Sequence, residues 1–196
     1  MAPVKYSDQI AEWLKAAGYT HYFYVGGGNI MHLTESLSRH LKGVPVVHEV
    51  AAGIAAEYFN EIAAPAKALA LVTAGPGLTN IVTAVSGAWL ESRELLIIGG
   101  QVKTADLARG LVRSRGIQEI DGQRLLESTT KLSVRLESPV PAAEFGKLLE
   151  PSWTPRKGPV FIEFPLDVQA ATIAPEQFAP LSRPKLPLIS EAELQR

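Results

Sequence analysis

The 196-residue chain contains no cysteine, which excludes a disulfide framework and any thiolate-based metal site. It has only four histidines, and none forms a pair at ligand-like spacing. A basic excess is absent too: 19 Lys and Arg stand against 20 Asp and Glu, so the chain lacks the cationic face that nucleic acid requires. No apolar run approaches the ~20 residues of a membrane-spanning helix. The opening Met1 to Ile10 lacks the basic-then-apolar pattern of a secretory leader. What is present is ordinary for a globular protein, with 46% hydrophobic and 20% charged residues, enough to bury a core. These features lead to the expectation of a cytoplasmic enzyme component, with no membrane and no nucleic-acid partner.

Strand-like and helix-like runs alternate. Ser7 is placed to cap a helix that Gly18 would stop. Strands are expected at His21 to Val25, Val44 to His48, Lys67 to Thr73, Glu94 to Gly100, Lys131 to Leu136 and Pro159 to Pro165. Helices are expected near Asn29 to Leu41, from Glu49 to about Pro65, from the Gly75-Pro76-Gly77 turn to about Leu90, and from Val140 to Leu149. The nearly continuous apolar strands suit a parallel sheet covered on both faces. The fold class expected is α/β: an open, mostly parallel six-stranded sheet with helices on both faces. Residues 101–130 are polar, with few apolar anchors, and read as a long functional or mobile excursion. The domain is expected over 1–170. Residues 171–196, which contain Pro175, Pro180, Pro184 and Pro187, read as an extended tail or linker.

Candidate chemistry lies where strands end. Gly26-Gly27-Gly28 follows the first main strand, and glycines there let backbone approach a ligand closely. The cluster does not match the six-residue dinucleotide fingerprint with its acidic partner. Gly75-Pro76-Gly77 follows another strand and opens a helix whose first amides are able to hold an anion or a ring edge, with Asn80 one turn in. It lacks the Gly-Lys-Ser/Thr ending of a nucleotide P-loop. Glu49 opens a helix, where its charge is favoured by the helix dipole. Taken singly, such an acid is more often a dipole partner than a catalyst, and His48 beside it more often a packed strand-end residue. Gln101 ends a strand after Gly99-Gly100, and Gln118-Glu119 would normally pass as solvated surface.

Order and spacing change these odds. Six phrases stand in order along the chain: Gly26-Gly27-Gly28-Asn29-Ile30-Met31-His32-Leu33, His48-Glu49, Leu71 to Asn80, Ile98 to Lys103, Gly116 to Asp121 and Lys157 to Val168. From about Ser7 to Gln169 the chain resembles the N-terminal pyrimidine-binding domain of the acetolactate-synthase-like family of thiamine-diphosphate enzymes. The resemblance implies that Glu49 is the catalytic glutamate that bonds pyrimidine N1′ and so promotes loss of the thiazolium C2 proton. It implies that Pro76 and Asn80 line the pyrimidine, that Gly27 and Gly28 lie near the thiazolium, and that Gln101 and Gln118 lie on the substrate side. Synthases carry Tyr-Pro where Val25-Gly26 stand here. The family's diphosphate motif, which begins Gly-Asp-Gly and holds Mg2+, is not present, and Asp121-Gly122 does not supply it. Metal ligands from this chain are therefore expected to be none.

The expectation that follows is half of an active site. The chain would be the pyrimidine-binding subunit of a split enzyme acting on a 2-oxo acid by decarboxylation or carboligation. A diphosphate-binding partner, in a heterotetramer, would complete it. Alternatives are the isolated N-terminal domain of a whole 2-oxo acid decarboxylase, or a regulatory or scaffolding remnant without chemistry. Some relatives bind a flavin, FAD, but no residue here points to one.

Overall fold

The computed structural model describes residues 2–154 and 156–177. Six strands form one sheet: β2 (Tyr19–Tyr24), β3 (Lys42–Pro45), β4 (Lys67–Val72), β5 (Leu95–Gln101), β6 (Leu132–Arg135) and β7 (Pro159–Pro165). Their order across the sheet is β3-β2-β4-β5-β7-β6, and every pairing is parallel. Two short strands, β1 (Val4–Lys5) and β8 (Thr172–Ile173), pair antiparallel outside it.

The period of two along the central strands sorts side chains between two cores. Leu69 and Leu71 of β4, Leu96 and Ile98 of β5, and Val160, Ile162 and Phe164 of β7 face one side. There they meet α1 (Tyr6–Ala16), α2 (Met31–Ser38) and α6 (Ala142–Leu149) through Trp13, Leu14, Leu37, Phe145 and Leu149. Ala68, Ala70 and Val72, Leu95 and Ile97, and Phe161 face the other side. They meet α3 (Glu49–Ile62), α4 (Pro76–Leu90) and α5 (Gly122–Leu126) through Ala52, Ala56, Ile81, Ala84, Ala88 and Leu126. Small strand residues on this side let α3 and α4 lie close to the sheet and to each other. At their contact, a Cβ added to Gly53 would come within 2.5 Å of the Ala84 Cβ.

Most expected elements are present, with shifts at their ends. Ser7 is not a cap: α1 begins at Tyr6, because pairing of β1 with β8 delivers the chain already extended up to Lys5. Ser7 is instead buried and hydrogen-bonded to the Ser36 hydroxyl at 2.9 Å. The strand expected at Val44 to His48 lies at Lys42–Pro45, and His48 becomes the cap of α3, its Nδ1 accepting from the Val50 amide at 3.3 Å. The expected tail starts as β8, and Glu176 accepts from the Ala142 amide at 2.8 Å through its carboxylate. Pro180, Pro184 and Pro187 lie outside the described residues.

The 101–130 stretch has little regular structure but does have anchors, several of them polar. The Glu119 carboxylate accepts from the backbone amides of Ala108 (2.5 Å), Arg115 (2.8 Å) and Gly116 (3.1 Å). Asp167 accepts from both the amide and the hydroxyl of Thr104, at 2.9 and 2.6 Å. Leu107 and Ala108 are buried, while Leu111, Val112 and Ile117 are exposed. Periodicity searches find hydrophobic anchors, so a loop organised by carboxylate-to-amide bonds passes as unanchored. Partial burial of Glu119 raises its pKa, but the three amides outweigh this and hold it below the ordinary carboxylate value.

Two expectations follow. Gly53→Ala gains ~1 kcal/mol of helix propensity, yet overpacking against Ala84 costs about 1–3 kcal/mol. The denaturant midpoint should therefore fall, and a rise would show that α3 and α4 separate freely. For Glu119, the lowered folded pKa means that its contribution is present above the unfolded value of about 4.5 and is lost as pH falls through the folded one. Amides of Ala108, Arg115 and Gly116 should lose hydrogen-exchange protection in that acid window, and at neutral pH in Glu119→Gln. Protection retained by the variant would remove Glu119 as the anchor.

Candidate active site

In chain order β2 is followed outward by β3, and the chain then returns to place β4 on the opposite side of β2. Parallel sheets open a crevice at such a reversal, outside the carboxyl ends of the strands. The loop after β2 carries Gly26, Gly27 and Gly28, and the loop after β4 carries Thr73 to Gly77, so both line this crevice.

Thr73 stands between the two loops. Its Oγ1 accepts from the Asn29 amide at 3.3 Å. A Cβ on Gly27 would lie 2.4 Å from the Thr73 Cβ, and one on Gly77 would lie 2.8 Å from the Thr73 Cγ2. The turn into Gly28–Ile30 also rests on β5, since a Cβ on Gly100 would fall 1.9 Å from the Asn29 carbonyl oxygen. That same oxygen accepts from Gln169 Nε2 at 2.8 Å. Sequence reasoning named the glycines and passed over Thr73 and Gln169. The signal for Thr73 was its place between a buried strand and a Gly-Pro-Gly turn.

Glu49 opens α3, with its side chain buried against this crevice. Its Oε2 accepts from Asn80 Nδ2 at 2.9 Å, and its Oε1 lies 3.2 Å from where a Gly77 Cβ would stand. Oε1 accepts no hydrogen bond from the described residues. The Asn80 bond fixes the Glu49 rotamer. Pro76 occupies the first turn of α4, where its missing N–H costs nothing, and its ring is exposed.

Gly75 has φ +66°, and a Cβ there would meet the Gln118 carbonyl oxygen at 2.5 Å. Gln118 itself has φ +60°, which is uncommon for a residue with a side chain. The excursion thus lays Gln118 over the Gly-Pro-Gly turn, and the structure brings together Gly27, Thr73, Gly75, Gly77, Glu49, Asn80 and Gln118. Gln101 stands apart from this group. It is fully buried: its Nε2 donates to the Ile120 carbonyl (2.9 Å) and to Glu163 Oε1 (3.1 Å), and its Oε1 accepts from the Val102 amide (2.9 Å). With both ends of its amide engaged inside the protein, Gln101 presents no polar atom to the crevice. Among the described residues, no group of three or more His, Asp or Glu side chains is placed to hold a metal ion.

Residues 4–125 match the family model described as thiamine pyrophosphate enzyme, N-terminal TPP binding domain. The chain is 36% identical over 186 residues to 2-hydroxyacyl-CoA lyase 2 of Danio rerio, covering 91% of this chain and 28% of that protein. It is 35% identical over 168 residues to the human protein of the same name, covering 82% of this chain and 25% of the other. It is 31% identical over 186 residues to a probable acetolactate synthase large subunit of Methanocaldococcus jannaschii, covering 94% and 30%. The chain thus spans between a quarter and a third of the length of these relatives. Its parallel sheet, the crevice at the strand reversal and the matched residues agree: the chain belongs to the thiamine-diphosphate enzymes, as their N-terminal, TPP-binding domain.

Proposed function

We propose that this domain supplies the pyrimidine side of a thiamine-diphosphate active site acting on a 2-oxo acid, with Glu49 as its proton-exchanging group. The observation that supports this most directly is the Glu49 carboxyl, buried in a glycine-walled crevice and held by Asn80 through one oxygen only. The residues present fit the cofactor. A Cβ at residue 77 would stand 2.8 Å from Thr73 Cγ2 and 3.2 Å from Glu49 Oε1, so the approach to Glu49 from that side is open only because residue 77 is glycine. Glu49 and Asn80 would hold the pyrimidine edge, and Thr73 and the Gly77 backbone would form the floor beneath it.

Thiamine diphosphate supplies, when bound, an electron sink beside the substrate carbonyl. The chain's part is to hold and orient. Asn80 keeps Oε2, which turns Oε1 toward the crevice. Glu49 would be placed to exchange a proton at Oε1 with a ring nitrogen held against it, a task suited to a carboxyl held close to a weak base. Gln118 over Gly75 narrows the opening. We further infer that the diphosphate and Mg2+ are held by a second unit, a diphosphate-binding subunit in a heterotetramer or another stretch of a longer chain. Support for a partner surface comes from Ile54, Tyr58 and Ile62, exposed in one stripe along α3, with Leu90 exposed on neighbouring α4. Likeness to 2-hydroxyacyl-CoA lyases supports a 2-hydroxyacyl thioester as a second donor class.

Two measurements test this. Glu49→Gln keeps shape and the Asn80 contact but cannot exchange the proton. In the assembled enzyme, turnover of a 2-oxo acid should fall at least 100-fold with the fold intact, and near-wild-type rates would reject the role. By calorimetry, the 196-residue chain alone should bind thiamine diphosphate weakly even with Mg2+, because the diphosphate ligands lie elsewhere. Tight binding to the lone chain would place the whole site within it.

A further inference from the structure

Glu163 lies on β7, two residues after Phe161 and on the same face of the sheet, in the core shared with α4 and α5. A compact polar group surrounds its carboxylate. Arg135 of β6 donates through Nε to Glu163 Oε2 at 2.5 Å, and Gln101 of β5 donates to Oε1 at 3.1 Å. Arg135 reaches on to Asp121 Oδ1 at 3.3 Å, and Gln101 reaches on to the Ile120 carbonyl at 2.9 Å. Two adjacent residues of the excursion, Ile120 and Asp121, are therefore tied to the sheet through one buried carboxylate. Gly122 permits this, since a Cβ there would stand 2.5 Å from Glu163 Oε1 and 2.3 Å from Leu78 Cδ2 of α4. Two residues before Ile120, the Gln118 backbone closes on Gly75.

We propose that Glu163, acting through Arg135 and Gln101, is a positioning residue: a buried latch that holds residues 118–122 against the Gly75-Pro76-Gly77 turn and so sets where Gln118 stands over the crevice. Calling that crevice a ligand site rests on the function proposed above, but the latch is a property of this chain alone. Gln101 on this account acts on the site from behind, through Ile120, and not by touching substrate.

The latch has a pH signature. The groups facing Glu163 are Arg135 from β6, Gln101 from β5 and Asp121 from the segment before α5. Burial raises its pKa and Arg135 lowers it, leaving it at about 7 against an ordinary 4.5. Opening the latch hydrates the carboxyl and returns it toward 4.5. The closed form thus binds the proton more tightly, and closure is strongest below the open-state value and weakens as pH rises through about 7.

Hydrogen exchange on the full 196-residue chain tests this without cofactor or turnover. Exchange of amides 118–122, corrected for the intrinsic pH dependence, should quicken by up to roughly tenfold per pH unit between pH 5 and 7 in the wild type. Glu163→Gln, an isostere of the protonated carboxyl, should keep these amides protected at pH 5 and hold that protection to pH 7, where it should exchange at least tenfold more slowly than the wild type, so that the extra pH dependence flattens, with β4 and β5 amides unchanged. Gln101→Asn, which shortens the reach to Ile120, should loosen the same segment but keep the pH dependence. If Glu163→Gln fails to fold, the wild-type pH series and Gln101→Asn decide. A segment with no extra pH dependence in the wild type, or with unaltered exchange in a folded variant, overturns the latch. Either result leaves the role of Glu49 standing, because that role is read from turnover.

Discussion

The site depends on how closely backbone is allowed to approach backbone at the carboxyl ends of β2, β4 and β5. Four contacts there would be blocked by a single Cβ: Gly27 on Thr73, Gly77 on Thr73, Gly75 on Gln118 and Gly100 on the Asn29 carbonyl. The last pair leaves 1.9 Å for a carbon that needs more than 3 Å, so no side chain larger than hydrogen is compatible with it. Each glycine costs about 0.5–1 kcal/mol of backbone entropy. The return is main chain packed closely around Thr73 at the end of the sheet where Glu49 stands. Thr73 is the common neighbour, and its hydroxyl ties the first glycine loop to the second.

Two glutamates on the same side of the sheet show how environment divides roles. Glu49 sits at the start of a 14-residue helix with one oxygen bonded and one turned to the crevice. Glu163 sits in mid-strand with both oxygens engaged by Arg135 and Gln101 and no exposure at all. The first keeps one oxygen free of any hydrogen bond from the described residues. The second is arranged to hold what is already there. A buried ion pair of this kind adds little net stability over an apolar replacement, because desolvation offsets the attraction. Its value lies in geometry: it dictates one position for Ile120 and Asp121 where hydrophobic packing would accept several.

The excursion from residue 101 to residue 130 joins the two. Its amides converge on Glu119, its far end is held by Glu163, and between them Gln118 is carried in a left-handed backbone conformation over the Gly75 turn. Such strain in a residue with a side chain persists only where surrounding contacts over-determine it. Here those contacts are hydrogen bonds to carboxylates, which makes the segment answer to pH in a way that an apolar loop would not.

The sequence by itself determined the layered fold. Continuous apolar runs such as Leu95 to Ile98 require burial on both faces, and the strand–helix alternation requires parallel strands. The resemblance carried by its six collinear phrases also implied one site for Glu49, Asn80, Gly27, Gly28, Pro76, Gln101 and Gln118. Only the tertiary structure decided what each side chain faces. Gln101 ends a strand at the right edge of the sheet, and nothing in its neighbours in sequence tells whether its amide turns outward to a substrate or inward to Ile120 and Glu163. Glu119 reads as surface until three distant and local amides close around it. The reason is common to both: hydrophobic periodicity is a local property that the chain displays along its length, whereas a buried polar group takes its partners from other elements, and those partners exist only once the sheet has assembled.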